Sequence, residues 1–320
     1  MSRLFYLASI LPIPQGTVKL IEKVVGRFIW ISSGKILRVQ IDEMKLAAAN
    51  GGCKLICVKR MSKSLLLSQL LRLLKSNDEK TIGYLSYWVG ELLGDFLPGI
   101  ETGNHCQNPG EYYGGLATLI VEAKMAEQIS ENNWRAVRNK DLYFGFCRDL
   151  LPPKVEGDTG ISFRKAWRNL QIDALCSSQR ELIYLLIHDK LPVKERLFRI
   201  GQEVDPYCVH CLQQNVAVIS NVDHFFCTCP RILNIWSPVC TAVRSLLGCS
   251  DSDESILRIN ISVERCPGIV WLIGAYISEV WNTKENGINT EKFFGFLKFK
   301  FKTSKLGTPL QMNRITRDLP

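Results

Sequence analysis

The sequence predicts a mainly helical chain with one small metal-stabilised module that carries minor β structure. Two observations support this. Apolar residues recur at i, i+3 and i+4 along the patterned stretches. The short stretch 207–230, YCVHCLQQNVAVISNVDHFFCTCP, holds four of the twelve cysteines and two of the four histidines.

The helical elements can be taken in order. Residues 17–30, TVKLIEKVVGRFIW, place Val18, Ile21, Val24, Val25, Phe28 and Ile29 at helical spacing after the break at Pro12 and Pro14, with Thr17 as N-cap. A second helix is predicted over 61–75, where Leu66, Leu67, Leu70, Leu71 and Leu74 form an apolar stripe and Lys63, Arg72 and Lys75 lie off it. Residues 78–160 contain LPGIETGNHCQNPGEYYGG, a turn-rich stretch without clear periodicity, and read as a variable connecting region. From Ser178 the helical signal returns. Ser178 and Glu181 have capping-box spacing ahead of LIYLLIHDK, and Leu191–Pro192 stops that helix. The short helix VKERLFRI follows, with Gly201 at its C-terminus, and Pro230 then opens a helix beginning RILNIW. Near the C-terminus, EKFFGFLKFKFKTSK at 291–305 suits a strand by its Phe/Lys alternation and a helix by Phe293, Leu297 and Phe301.

Composition narrows the class. With 320 residues, 46% of them hydrophobic, the chain can bury a sizeable core. Twelve cysteines are too sparse for a disulfide-built mini-fold, and the opening MSRLFYLASILPIPQG is a poor secretory signal because Pro12 and Pro14 cut it. An intracellular place, nucleus or cytoplasm, is expected. The longest apolar run, at 267–278, is well short of the ~20 residues that span a bilayer, so no membrane partner is expected.

Charge is uneven along the chain. Lys plus Arg against Asp plus Glu number 13 and 3 over residues 1–77, 7 and 13 over 78–160, 10 and 7 over 161–250, and 10 and 8 over 251–320. The excess therefore lies in the first quarter. Between Met44 and Asn77 stand Lys45, Lys54, Lys59, Arg60, Lys63, Arg72 and Lys75 with no acid among them, a pattern that fits a phosphate-facing surface and also a solvated helix face.

The cysteine-rich stretch has the spacing Cys208-x2-Cys211-x12-His224-x4-Cys229. Two cysteines separated by two residues can aim both thiolates at one ion from a tight turn, and a His and a Cys five apart can complete a tetrahedron. Mixed sulfur and nitrogen donors suit zinc. Four protein ligands leave no open position for water, so the expected Zn2+ is structural. Cys227 is an alternative fourth ligand. Cys229 is preferred because it directly precedes Pro230 and a helix start, whose positive end favours a thiolate. His210 is expected to point outward. A set of buried free thiols is the non-metal alternative.

The residues around this cluster resemble a known family. LPVKERLFRIG at 191–201, DPYCVHC, VDHFFCTCP and NIW at 234–236 are similar to the zinc-binding segment that follows the reverse transcriptase of non-LTR (LINE-type) retrotransposons, with Asp223, His224, Phe225, Phe226, Cys229, Pro230 and Trp236 carrying the match. In the N-terminal quarter, Leu11, Pro12, Pro14, Phe28, Trp30, Gly51 and Gly52 resemble the helical thumb of the same family. The resemblance implies four segments: a thumb-like basic helical region at 1–77, a variable connection at 78–160, a reverse-transcriptase-type zinc-binding domain at 161–250, and a C-terminal helical and basic region at 251–320. It further implies contact with RNA or DNA. The cations expected to make that contact are Lys54, Lys59, Arg60, Lys63, Arg72 and Lys75, together with Lys194, Arg196 and Arg199 ahead of the cluster. Phe225 and Phe226 are expected either to stack on bases or to pack beneath the metal loop.

The departures are equally specific. The chain has no adjacent aspartate pair, whereas two-metal nucleotidyl transfer needs clustered carboxylates. Asp251, Asp253 and Glu254 read as a solvated loop or helix cap. No phosphate-binding glycine-lysine loop and no serine-histidine-acid arrangement is present. The chain is therefore expected to bind nucleic acid without being an enzyme on its own. The alternative expectation is a zinc module that recruits a protein partner, in a host-retained or relic copy of an element.

Overall fold

The computed structural model describes residues 2–29, 39–76, 78–94, 106, 110–130, 132–148, 150, 154–248, 250–263, 267–283 and 289–303. Trp30, most of the turn-rich stretch at 97–109, and Ser304 and Lys305 lie outside them. Among the described residues the chain is mainly helical, and its only strand-like pairing is an antiparallel bridge between Tyr207 and Ile219.

The helices run in chain order as α1 (Ser2–Ala8), α2 (Gln15–Ile29), α3 (Ile41–Met44), α4 (Val58–Lys75), α5 (Glu79–Leu93), α6 (Glu111–Met125), α7 (Asn139–Phe146) and α8 (Lys154–Thr159). There follow α9 (Arg164–Asn169), α10 (Ser177–Ile187), α11 (Lys194–Arg199), α12 (Val209–Gln213), α13 (Pro230–Leu247), α14 (Asp253–Leu257), α15 (Pro267–Asn282) and α16 (Thr290–Thr303). Thus 291–303 is helix, not strand. Its Phe293, Phe294 and Leu297 are buried, so the 3.6-residue stripe prevails over the alternation.

The chain forms two compact units, one of residues 1–35 and 55–151, the other of residues 36–54 and 152–320. This division cuts across the four sequence segments. The basic N-terminal quarter is shared between both units, and the 78–160 region supplies three helices to the first.

In the first unit the leucine stripe of α4 meets α5, α6 and α7. Leu66, Leu67, Leu70, Leu71 and Leu74 pack with Leu85, Val89 and Leu93 of α5, Leu116, Leu119 and Ile120 of α6, and Leu142 of α7. Each such leucine contributes about 1.5–3 kcal/mol by leaving water. Periodicity in α6 is weak because small residues, Gly114, Gly115 and Ala117, interrupt its stripe. Asp78 caps α5 by accepting from the Thr81 N–H at 3.0 Å. Along α2, Val18 is buried whereas Val24 and Phe28 are exposed, so only part of its predicted apolar face is covered. The helix begins at Gln15, ahead of the expected Thr17 cap.

In the second unit α10, α13 and α15 supply the core, with Ile183, Leu185, Trp236, Val239, Ile273 and Tyr276 fully or nearly fully buried. The N-cap of α10 is Cys176 and its capping-box partner is Gln179, two residues before the Ser178/Glu181 pair, because the helix starts at Ser177. Arg258 closes the other end of α10, donating to the Leu186 carbonyl at 3.1 Å and the Ile187 carbonyl at 3.4 Å. The Gly51–Gly52 pair lies in this unit. Gly51 has φ +83, and a Cβ on Gly52 would strike the Leu46 carbonyl, so neither position accepts a side chain without displacement. His188 fixes the same turn through Nε2, 3.1 Å from the Gly51 carbonyl.

Candidate metal centre

Two short pieces of backbone present the four donors. The first begins where Tyr207 bridges Ile219, with the Cys208 N–H donating to the Val218 carbonyl at 2.8 Å and the Ser220 N–H to the Pro206 carbonyl at 2.8 Å. Cys208 is then the N-cap of α12 and Cys211 lies in its first turn, so the two-residue spacing puts both thiols on one end of one helical turn. Asn215, at φ +61, reverses the chain after α12, a left-handed position that asparagine tolerates.

The second piece is a π-helical turn, His224–Thr228. The Cys229 N–H donates to the His224 carbonyl at 2.9 Å, five residues back. This wider loop closes the His-x4-Cys spacing and brings its two ends toward one point, in keeping with the occurrence of π-turns at functional positions. Asn221 Oδ1 accepts from the His224 N–H at 2.8 Å and so starts the turn. Cys229 is also the N-cap of α13, with Pro230 in the first turn.

All four residues are buried, and one donor atom from each lies within 4.8 Å of the other three. Cys208 Sγ is 3.9 Å from Cys229 Sγ, and Cys211 Sγ is 3.4 Å from His224 Nε2. Tetrahedral bonds of about 2.3 Å to sulfur and 2.0 Å to nitrogen imply about 3.8 Å between sulfurs and about 3.6 Å between sulfur and nitrogen. The observed spacings fit, and a disulfide at about 2.05 Å does not. The cluster can hold a metal ion, and its dimensions are compatible with zinc.

Burial sets the protonation of the donors in the absence of an ion. Burial pushes the Cys211 thiol up to about 12, with the neighbouring Cys208 and Cys229 adding to the effect. Burial also raises Cys229, against the pull of the Arg231 backbone N–H. Burial lowers His224, which keeps its imidazole neutral and able to donate a lone pair. Without an ion such thiols stay protonated, and a dication is what makes several thiolates affordable in one buried spot. Thr228 Oγ1 lies 3.3 Å from His224 Nδ1. Were Nε2 to ligate a metal, Nδ1–H would be free to donate to that hydroxyl and fix the ring.

Cys227 is buried outside the tetrad, near Cys240 and Tyr276, and burial raises its thiol. His210 is half-buried and outside the tetrad as well. Phe226 is fully buried and stacks at 17° to Trp281, with its carbonyl accepting from the Tyr276 hydroxyl. Phe225 is half-buried between Trp281 and the Arg231 guanidinium. Both rings therefore serve the packing beneath the turn. Asp253 bonds the Trp236 indole N–H at 3.0 Å and pairs with Arg244, which gives the acidic 251–254 stretch a structural role.

The cations expected to meet nucleic acid fall into two groups. In the first unit, Lys59, Arg72 and Lys75 of α4 are exposed. Arg60 donates to the Phe146 carbonyl, and Lys63 pairs with Glu122 at 2.5 Å. Arg148, which the sequence reading did not single out, joins Lys59, Arg60 and Lys63 around a cleft of about 470 Å³. In the second unit, Lys54 is exposed. On α11, Lys194 lies 3.5 Å from Asp205, Arg199 lies 3.9 Å from Glu195, and Arg196 donates to the Lys190 carbonyl. Asn221 and Thr228 were not anticipated. The position of Asn221, three residues before His224, is a cap signal that sequence alone offers.

No described helix is long and apolar enough to cross a membrane. Compared with known proteins, the chain matches no family model, no curated protein and no solved structure.

Proposed function

We propose that the chain is a nucleic-acid-binding protein similar to the thumb and zinc-binding part of a LINE-type reverse transcriptase, with a structural zinc ion in the tetrad. It binds RNA or DNA and carries out no reaction by itself. The observation that carries this reading is α4. It exposes Lys59, Arg72 and Lys75, with no carboxylate partner for any of them among the described residues, in a stretch free of acids from 44 to 77. The donor set supports zinc, because three cysteines and a histidine with donor atoms within 4.8 Å of one another suit a borderline-soft ion without geometric demands of its own.

The test is affinity for labelled RNA and DNA as a function of salt. Each neutralised phosphate contributes about 0.9 to the slope of log K against log salt on duplex DNA. The expected result is a steep slope that falls by roughly 2–3 in K59A/R72A/K75A, and a flat profile in the unmodified chain contradicts the reading.

One observation favours a second reading, recruitment of a protein by the zinc module. Around the tetrad, Val209, Leu212, Val216 and Ile219 expose apolar side chains. That reading predicts a complex that survives nuclease treatment and is lost in V209D/L212D, and it fails if no such complex forms.

A further inference from the structure

Helix α9 belongs neither to the metal cluster nor to the cations already described. It buries Ala166, Trp167 and Asn169, and leaves Arg164, Lys165 and Arg168 exposed. The three cations open on a cleft of about 740 Å³ whose other polar lining, Asn169, Asn260 and Ser262 among it, is uncharged. Among the described residues no carboxylate lines the cleft.

The facing loop is held rigidly. Asn169 Nδ2 donates to the Ile259 carbonyl at 2.7 Å and the Ile261 carbonyl at 2.8 Å. Asn260 accepts from the Ala166 N–H at 3.4 Å and donates to the Ser162 carbonyl at 3.2 Å. Between the two asparagines Ile259 sits at φ +50, a conformation that a β-branched residue adopts only under constraint. Such strain marks a geometry that the surroundings over-determine, and here that geometry shapes the cationic cleft.

The charge pattern gives the cleft its chemistry. Arg164 and Arg168 stand one helical turn apart, and both line the cleft. Arg164 and Lys165 meet no carboxylate among the described residues. A bound polyanion meets these cations, and the Asn260 amide hydrogen that does not bond the Ser162 carbonyl, with the Ser262 hydroxyl, can donate to phosphate oxygens without adding negative charge.

We infer that this cleft binds phosphate groups of a nucleic-acid backbone, forming a contact surface additional to α4. The inference rests on the nucleic-acid reading above. Its test compares the full chain, R164A/K165A and K59A/R72A/K75A for binding to labelled single strands and duplexes of about 20 nucleotides, longer than the ~4–16 nucleotides of common single-strand sites. R164A/K165A should weaken binding about tenfold at low salt and lower the salt slope by roughly 1.4–1.8, the share of two phosphates on single strands and duplexes. Thermal unfolding should be unchanged, because both side chains are exposed. Should the alanine pair unfold, R164Q/K165Q removes the charges and keeps the stems.

If the full chain and K59A/R72A/K75A differ as expected while R164A/K165A binds like the full chain, the inference is overturned and the functional reading stands. If the full chain binds neither oligonucleotide, the functional reading falls and the inference with it. Inorganic phosphate provides the remaining arm. If it perturbs the Asn169 and Asn260 side-chain amide signals at lower concentration than the oligonucleotides do, the cleft belongs to a small phosphate ligand and the backbone assignment is overturned.

Discussion

The helices around α4 and the loops around Cys208 solve the same problem with different means. α4 is 18 residues long and buries five leucines against three neighbouring helices, so apolar area holds it. α11 and α12 have 6 and 5 residues, far below the ~12–15 at which even a favourable isolated helix is marginal, and neither has a leucine stripe to bury. What converges there is a set of buried thiols and an imidazole. The contrast teaches that the apolar pattern accounts for the first region, whereas in the second the proposed zinc would supply what such short elements lack.

The sharpest way to break this contrast is to remove the metal. Cys211→Ala, His224→Ala, or a chelator should abolish protection of amides across 200–236, because structural zinc supplies about 10–16 kcal/mol in small modules. Hydrogen exchange within α4 should be unaffected, and parallel loss in both regions would refute the separation. Next in size is Leu67→Ala in α4, where a side chain with no exposed surface leaves a cavity. Denaturant unfolding should show a loss of about 2–5 kcal/mol with bound metal unchanged.

Cys227→Ala sharpens the comparison within the metal region itself. Its thiol lies in the core outside the tetrad, so a modest loss of about 1–2 kcal/mol is expected with metal stoichiometry intact. The smallest effect concerns acid. The bonds from Thr81 hold the Asp78 carboxyl below its ordinary value. Its contribution to α5 is therefore complete above the unfolded carboxylate pKa of about 3.9 and fades as pH falls through the lower folded value. A stability profile against pH should lose its lowest step in Asp78→Ala.

Much of this was legible from residue spacing. The stripe at Leu66, Leu67, Leu70, Leu71 and Leu74 and the order Cys208, Cys211, His224, Cys229 are periodicities that a single chain displays. The helices between 79 and 146 were not legible, because small residues in α6 and the aromatic cluster of Trp88 stacked on Tyr113 blur the stripe. The split of the N-terminal quarter between two units depends on long-range contacts such as His188 to Gly51, which no local pattern reveals. The cleft beside α9 arises in the same way, from Asn169 meeting carbonyls some ninety residues on.

Native mass spectrometry of the purified chain, with elemental analysis, tests the central claim most directly. The account predicts one zinc ion per chain, lost in Cys211→Ala and His224→Ala and kept in Cys227→Ala. A chain that folds through 200–236 with no stoichiometric metal would contradict it.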